Sequence, residues 1–213
     1  MFFSKKNKPV KLNVQSGYDQ WAATYSLEKN PIKSASDEII LKMLPALHGK
    51  RVVDVGCGSG YFCAHAEKEG AKEIVGIDFS SKMVEQANKI CKYTKFQVND
   101  IRIIDLEESS ADVIICALVL GHLEKIDPVI SKFSKALVKE GILVISDFHP
   151  FLSLKGQQRT FRKGTGLFEV PHYIHLLSEY INLLTQSGFA IVQMDEPFWQ
   201  GSPAIFVLKV KKI

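Results

Sequence analysis

From residue 32 onward the chain alternates between two hydrophobic patterns. Short apolar runs rich in branched residues occur at Arg51–Val55 (RVVDV), Lys72–Asp78 (KEIVGID), Lys95–Asp100 (KFQVND), Ala111–Leu120 (ADVIICALVL) and Ile142–Asp147 (ILVISD). They read as strands of a parallel sheet covered on both faces. Between them, apolar residues recur at helical spacing over Ile32–Leu47, Tyr61–Glu69, Ser80–Cys91 and Asp127–Lys139. Pro128 suits a first helical turn, Ser59 and Ser80 are placed to cap, and Pro45 bends the end of the first helix. A last helix over Tyr173–Ser187 stops at Gly188, and Phe189–Asp195 and Ala204–Val210 then form an antiparallel pair. Strands alternating with helices predict an α/β fold: a Rossmann-like, doubly wound sheet of seven strands, mostly parallel, with an antiparallel C-terminal hairpin strand and helices on both faces.

Two stretches fall outside this alternation. Residues 1–14 are basic and aperiodic and read as a loose arm, leaving 15–213 as one domain. Residues 151–171 lack periodicity but hold Arg159, Arg162 and three phenylalanines among glycines. A segment this long without secondary structure reads as a substrate lid, its aromatics giving shape and its arginines meeting an anionic group.

Composition narrows the class. At 46% hydrophobic and 23% charged residues the chain is an ordinary globular protein. Its net charge of +4 is smaller than the charge of Lys5, Lys6, Lys8, Lys11, Lys209, Lys211 and Lys212 at the two ends, so the body is slightly acidic. No nucleic-acid groove is announced. Cys57, Cys63, Cys91 and Cys116 form no metal-ligand spacing and read as buried thiols of a reducing, cytoplasmic protein. The longest apolar run is too short to span a bilayer, and nothing at the N-terminus reads as a signal peptide.

The chemistry concentrates after the first strand, in Asp54-Val55-Gly56-Cys57-Gly58-Ser59-Gly60. Glycines at alternate positions let the backbone bend tightly and a ligand come close. The spacing is not the G-x-G-x-x-G of dinucleotide sites, and no Lys-Ser/Thr pair follows as in a phosphate-cradling loop. A carboxylate beside the turn suits a ligand bearing an ammonium group. Asp78 closes the second strand 22 residues after Gly56, near the distance of about 20 at which an acidic residue takes ribose hydroxyls. Phe79, next to it, is placed to lie against a base.

The stretch DVGCGSG resembles the first motif of the class I S-adenosylmethionine-dependent methyltransferases, and the resemblance extends over roughly residues 15–210. It implies S-adenosyl-L-methionine as cofactor, held by Asp54, Gly56, Cys57, Gly58, Gly60, Asp78 and Phe79. In that family an acidic residue after the third strand takes the adenine amino group and the next backbone N–H meets the ring; Asp100 and Ile101 match by position, with Asp105 as a rival. The fourth strand ends beside the methionine part of the cofactor, which places Ala117 there. Where the family often carries paired histidines, this chain has Gly121-His122. The segment YDQWAATY resembles the lead-in that folds over the cofactor, which brings in Tyr18 and Tyr25.

The resemblance implies in-line methyl transfer, for which alignment supplies much of the rate. A base is needed only if the acceptor must lose a proton. His149, at a strand end facing the crevice, and His122 are the candidates, with Tyr18 as an orienting group. A small-molecule acceptor is the leading expectation, with no metal, no membrane, no nucleic-acid partner and a homodimer left open. A protein or RNA methyltransferase, or a non-catalytic cofactor-binding module acting through a partner, are the alternatives. Base amino-methylating relatives carry an Asn/Asp-Pro-Pro-aromatic motif where this chain reads Cys116-Ala117-Leu118-Val119.

Overall fold

The computed structural model describes residues 8–28 and 30–213. In chain order its elements are β1 (Val10–Lys11), α1 (Val14–Tyr25), α2 (Pro31–Met43), β2 (Arg51–Val55), α3 (Tyr61–Lys68), β3 (Glu73–Asp78), α4 (Ser81–Ile90), β4 (Lys95–Val98) and β5 (Ala111–Ala117). A 3-10 turn at Leu120–His122 leads to α5 (Asp127–Ala136), β6 (Leu137–Phe148), α6 (Pro150–Leu154), β7 (Thr160–Lys163) and β8 (Gly166–Glu169). The chain ends through α7 (Leu177–Gln186), β9 (Phe189–Asp195), β10 (Phe198–Trp199), β11 (Ser202–Pro203) and β12 (Ile205–Lys212).

The main sheet has seven strands in the order β4-β3-β2-β5-β6-β12-β9. β2 through β6 pair in parallel, and β12 runs antiparallel between β6 and β9. This is the expected doubly wound architecture. Successive side chains of a strand face opposite ways, and the two cores follow that alternation. Val53, Ile114 and Leu143 pack with Phe133 and Tyr180 of α5 and α7. Val52, Ile115 and Val144 pack with Met43 and Phe62 of α2 and α3.

Local chemistry sets the ends of the elements. α2 stops at Met43 because Leu44 precedes Pro45 and is extended. Ser80 caps α4 by accepting from the Met83 N–H at 3.1 Å. Ser59 does not cap α3: that position falls to Gly60, left-handed at φ 86° and without a side-chain bond. α5 is shorter than its apolar spacing predicts. Leu137 is fully buried and already pairs with Ala111, so the chain enters β6 directly.

Two further expectations are corrected. The arm predicted over 1–14 is structured in its second half: β1 pairs in parallel with β8, and Asn13 caps α1 by accepting from Ser16 N–H at 2.7 Å; residues 1–7 lie outside the described residues. The segment 151–171 is not irregular. It forms most of α6, then β7 and β8, which join β1 in a three-stranded sheet. Its periodicity is hidden because each strand is only four residues long. This small sheet packs on α1, with Phe161 stacked on Trp21 at 4.8 Å between ring centroids.

Candidate active site

Strand order reverses where β2 lies between β3 and β5, and in open α/β sheets ligands occupy the crevice outside such a reversal. A cavity of about 550 Å3 opens there, floored by the strand ends and roofed by α1. That volume lies within the roughly 300–1,000 Å3 of small-molecule sites. Gly56, Asp78, Phe79, Asp100, Ile101, Ala117 and Tyr25 all line it, as do Tyr18 and His122.

Gly56 must be glycine on two counts. Its φ is 70°, and a Cβ would collide with the Val119 side chain. The loop then turns back on Asp78, whose carboxylate accepts from Gly58 N–H at 2.9 Å and Ser80 N–H at 2.8 Å. Burial pushes the Asp78 carboxyl up to about 6, against those two amide bonds. Its oxygens hold further lone pairs, and a carboxylate is the acceptor that two donating ribose hydroxyls require.

Other residues of the glycine motif act from behind the wall. Asp54, Cys57, Gly58 and Gly60 do not line the cavity. Gly58 contributes its amide to Asp78. Strand alternation turns the Asp54 side chain into the α3 layer, where Cys63 Sγ donates to it at 3.4 Å and burial raises its carboxyl to about 7. Asp54 is therefore not presented to a ligand's ammonium group, contrary to the expectation from sequence.

At the far end, Asp100 lines the cavity but is not free. Arg102 donates to both of its oxygens, Nη2 to Oδ2 at 2.6 Å and Nε to Oδ1 at 3.0 Å, and holds the carboxyl below its ordinary value. The rival Asp105 does not line the cavity: its side chain is 96% exposed and 4.0 Å from Lys132 Nζ.

The roof is latched over the cavity by polar bonds between α1 and the turn after β3. Gln15 Nε2 donates to the Phe79 carbonyl at 2.8 Å, and Ser80 Oγ to Asp19 at 2.6 Å. This places the Tyr18 hydroxyl 2.9 Å from His122 Nε2, while His122 Nδ1 is 2.8 Å from the Pro171 carbonyl. A carbonyl can only accept, so Nδ1 carries the proton and Nε2 accepts from Tyr18. Burial, with Arg159 nearby, lowers His122 to about 3, so the ring is neutral. Burial likewise raises the phenols of Tyr18 and Tyr25.

His149 is not part of this arrangement. Its Nε2 meets Glu196 at 2.9 Å and its Nδ1 accepts from Phe151 N–H, capping α6. A strand-end position does not ensure a cavity-facing side chain, and here the turn into α6 carries it away.

Three features escaped the sequence. Leu118 lines the cavity in the left-handed region, at φ 59°, a strained conformation of the kind that gathers at functional sites and that leucine does not signal. Asp147 is a buried hub, accepting from Tyr180 Oη and Phe148 N–H at 2.7 Å and from Gly121 N–H. His172 explains why Gly121 replaces a histidine: a Cβ at Gly121 would collide with the His172 ring and approach Asp147 Oδ1 at 2.8 Å. His172 comes from the segment between β8 and α7, its ring 6.2 Å from that of His122. Among the described residues there is no metal-ligand cluster and no helix long and apolar enough to cross a membrane.

Residues 47–194 match the methyltransferase domain family. A Haemophilus influenzae protein whose name states no activity is 28% identical, over 83% of each chain. The ribosomal protein L11 methyltransferase of Actinobacillus succinogenes is 36% identical over 42% of this chain, which spans only 31% of that relative. A solved S-adenosylmethionine-dependent methyltransferase from Mesorhizobium loti superposes with a TM-score of 0.73 at 22% identity, covering 85% of this chain and all of that one. The chain belongs to the methyltransferase domain family, with the class I fold.

Proposed function

We propose that this protein transfers a methyl group to a small-molecule acceptor bound beneath α1. The cofactor is S-adenosyl-L-methionine, which supplies an electrophilic methyl on a sulfonium. Asp78 is placed to receive the ribose hydroxyls, Phe79 and Ile101 to flank the adenine, and Ala117 and Leu118 to border the amino-acid portion. Asp100 reaches the adenine edge only through whatever acceptor capacity its pair with Arg102 leaves.

The Tyr18–His122 pair is the observation that carries the acceptor reading, because both residues line the same cavity as Asp78. Tyr18 keeps its proton, donates it to His122 Nε2 and presents an oxygen lone pair toward the cavity. It can therefore orient an acceptor's hydroxyl or amine. Full proton removal by His122 is disfavoured, since an imidazolium there would be buried beside the Arg159 charge. The geometry suits a nucleophile that reacts by alignment rather than by prior ionisation.

The likeness to the ribosomal protein methyltransferase supports a second reading, a protein acceptor. The cavity of about 550 Å3 beneath α1 favours the small molecule, since that volume is of small-molecule size. The four buried, unpaired cysteines suit a reducing compartment. A radiolabelled methyl-transfer screen against metabolite, protein and RNA fractions tests the proposal. Label in metabolites supports it; label confined to protein or RNA contradicts it.

A further inference from the structure

A second, smaller cavity of about 190 Å3 has Tyr18 in common with the first. Trp21 Nε1, Arg159 Nε and His172 Nδ1 are buried without a hydrogen-bond partner, the only side-chain atoms so placed among the described residues, and all three residues line this cavity. Native interiors leave few such atoms unpaired, and each costs about 1–3 kcal/mol. Indole and guanidinium nitrogens can only donate. Three unpartnered atoms of this kind, on residues that line one small space, are what an acceptor-rich ligand would satisfy.

Charge points the same way. The Arg159 guanidinium lies 3.3 Å over the Phe148 ring, and its Nη2 donates to Asp147 Oδ1 at 3.4 Å, a long bond to a carboxylate that also accepts from Gly121, Phe148 and Tyr180 and leaves Nε unpaired. A guanidinium stays protonated even when buried. His172, held near 4 by burial and by Arg159, adds no charge but can offer its Nδ1 proton. Ile32, Leu152 and Val170 complete the wall with apolar surface.

We infer that this cavity binds the acidic end of the methyl acceptor, a small organic anion whose carboxylate lies on Arg159, His172 and Trp21 and whose other end reaches Tyr18. The acceptor role rests on the methyltransferase reading above; the anion pocket does not. The room that Gly121 leaves is then a binding feature, since it admits His172 to the pocket.

The test uses Trp21 as reporter. The chain has two tryptophans, so Trp199→Phe, at an exposed position, leaves Trp21 as the single fluorophore. That protein is titrated with sodium butyrate and with butyramide, and S-adenosylhomocysteine is titrated in parallel by calorimetry. Butyrate is expected to change the emission saturably and butyramide not at all. Arg159→Gln should weaken butyrate about tenfold or more, as loss of a charge-assisted bond does, and His172→Gln by less. Should Arg159→Gln fail to fold, Arg159→Lys, which keeps the charge but loses the fork, replaces it with a smaller weakening expected. Equal responses to acid and amide, or butyrate binding unaltered in the Arg159 and His172 variants, would overturn the pocket. Binding of S-adenosylhomocysteine without butyrate contradicts the anion pocket alone; binding of butyrate without S-adenosylhomocysteine contradicts the methyltransferase reading instead.

Discussion

Tyr18 Oη stands 2.9 Å from His122 Nε2, joining the helix over the cavity to the 3-10 turn after β5. The contact spans 104 residues of sequence. It ties α1 to the rim of the cavity that both residues line.

Tyr18→Phe should lower turnover by about 10²-fold, the scale of losing alignment, with affinity for S-adenosylhomocysteine unchanged. Steady-state kinetics beside calorimetry checks this. Because His122 is held near 3, kcat at saturating cofactor should show no titration near the ordinary imidazole value. A step in kcat near pH 6.5 that His122→Gln removes would return His122 to the role of base.

Asp78 gives the clearest binding prediction. Replacement by Ala removes charge-assisted hydrogen bonds to the ribose and should cost about 1.5–3 kcal/mol of cofactor affinity. The unliganded carboxyl is raised to about 6 by burial, and the ionised form is the better acceptor. Affinity for S-adenosylhomocysteine should therefore rise as pH increases through 6, and Asp78→Asn should flatten that slope. A pH-independent affinity in the wild type would contradict the assignment.

Asp54 should affect stability rather than binding. Its carboxyl is raised from 3.8 to about 7 in the folded chain, chiefly by burial. Between those values the folded state keeps a proton that the unfolded chain has released. The contribution of Asp54 is therefore favourable at low pH and is lost as pH rises through 7. Asp54→Asn should raise the unfolding temperature relative to wild type at pH 8 and lose that advantage toward pH 4. Thermal unfolding across that range, without cofactor, provides the comparison.

His149→Ala should lower stability by about 1–3 kcal/mol, by removing the α6 cap and the contact to Glu196. Turnover at a temperature where the variant is folded should be unchanged. A drop in kcat with stability intact would restore the catalytic role that its strand-end position suggests.

The parallel sheet and the glycine turn were legible because their causes are local. Branched residues at Val52, Val53 and Val55 need a doubly covered pleat, and Gly56 needs a positive φ. The place of Asp78 at the end of β3, on the cavity wall, was legible from spacing, because one helix between two strands sets the distance. What the sequence concealed depends on contacts between distant segments. Asp54 and His149 carry the right chemistry, but strand alternation and the turn into α6 point them elsewhere. β7 and β8 are too short for a period to emerge, so the segment holding Arg159 reads as loop. His172 meets Gly121 across 51 residues, and nothing near either position announces the pairing.

The central claim is that the rim of the sheet between Gly56 and Asp78 holds the cofactor. A crystal structure of the protein with S-adenosylhomocysteine tests it most directly. The account predicts both ribose hydroxyls on the Asp78 carboxylate and the sulfur directed toward Tyr18. Density for the ligand in another part of the molecule, or a ribose facing away from Asp78, would contradict it.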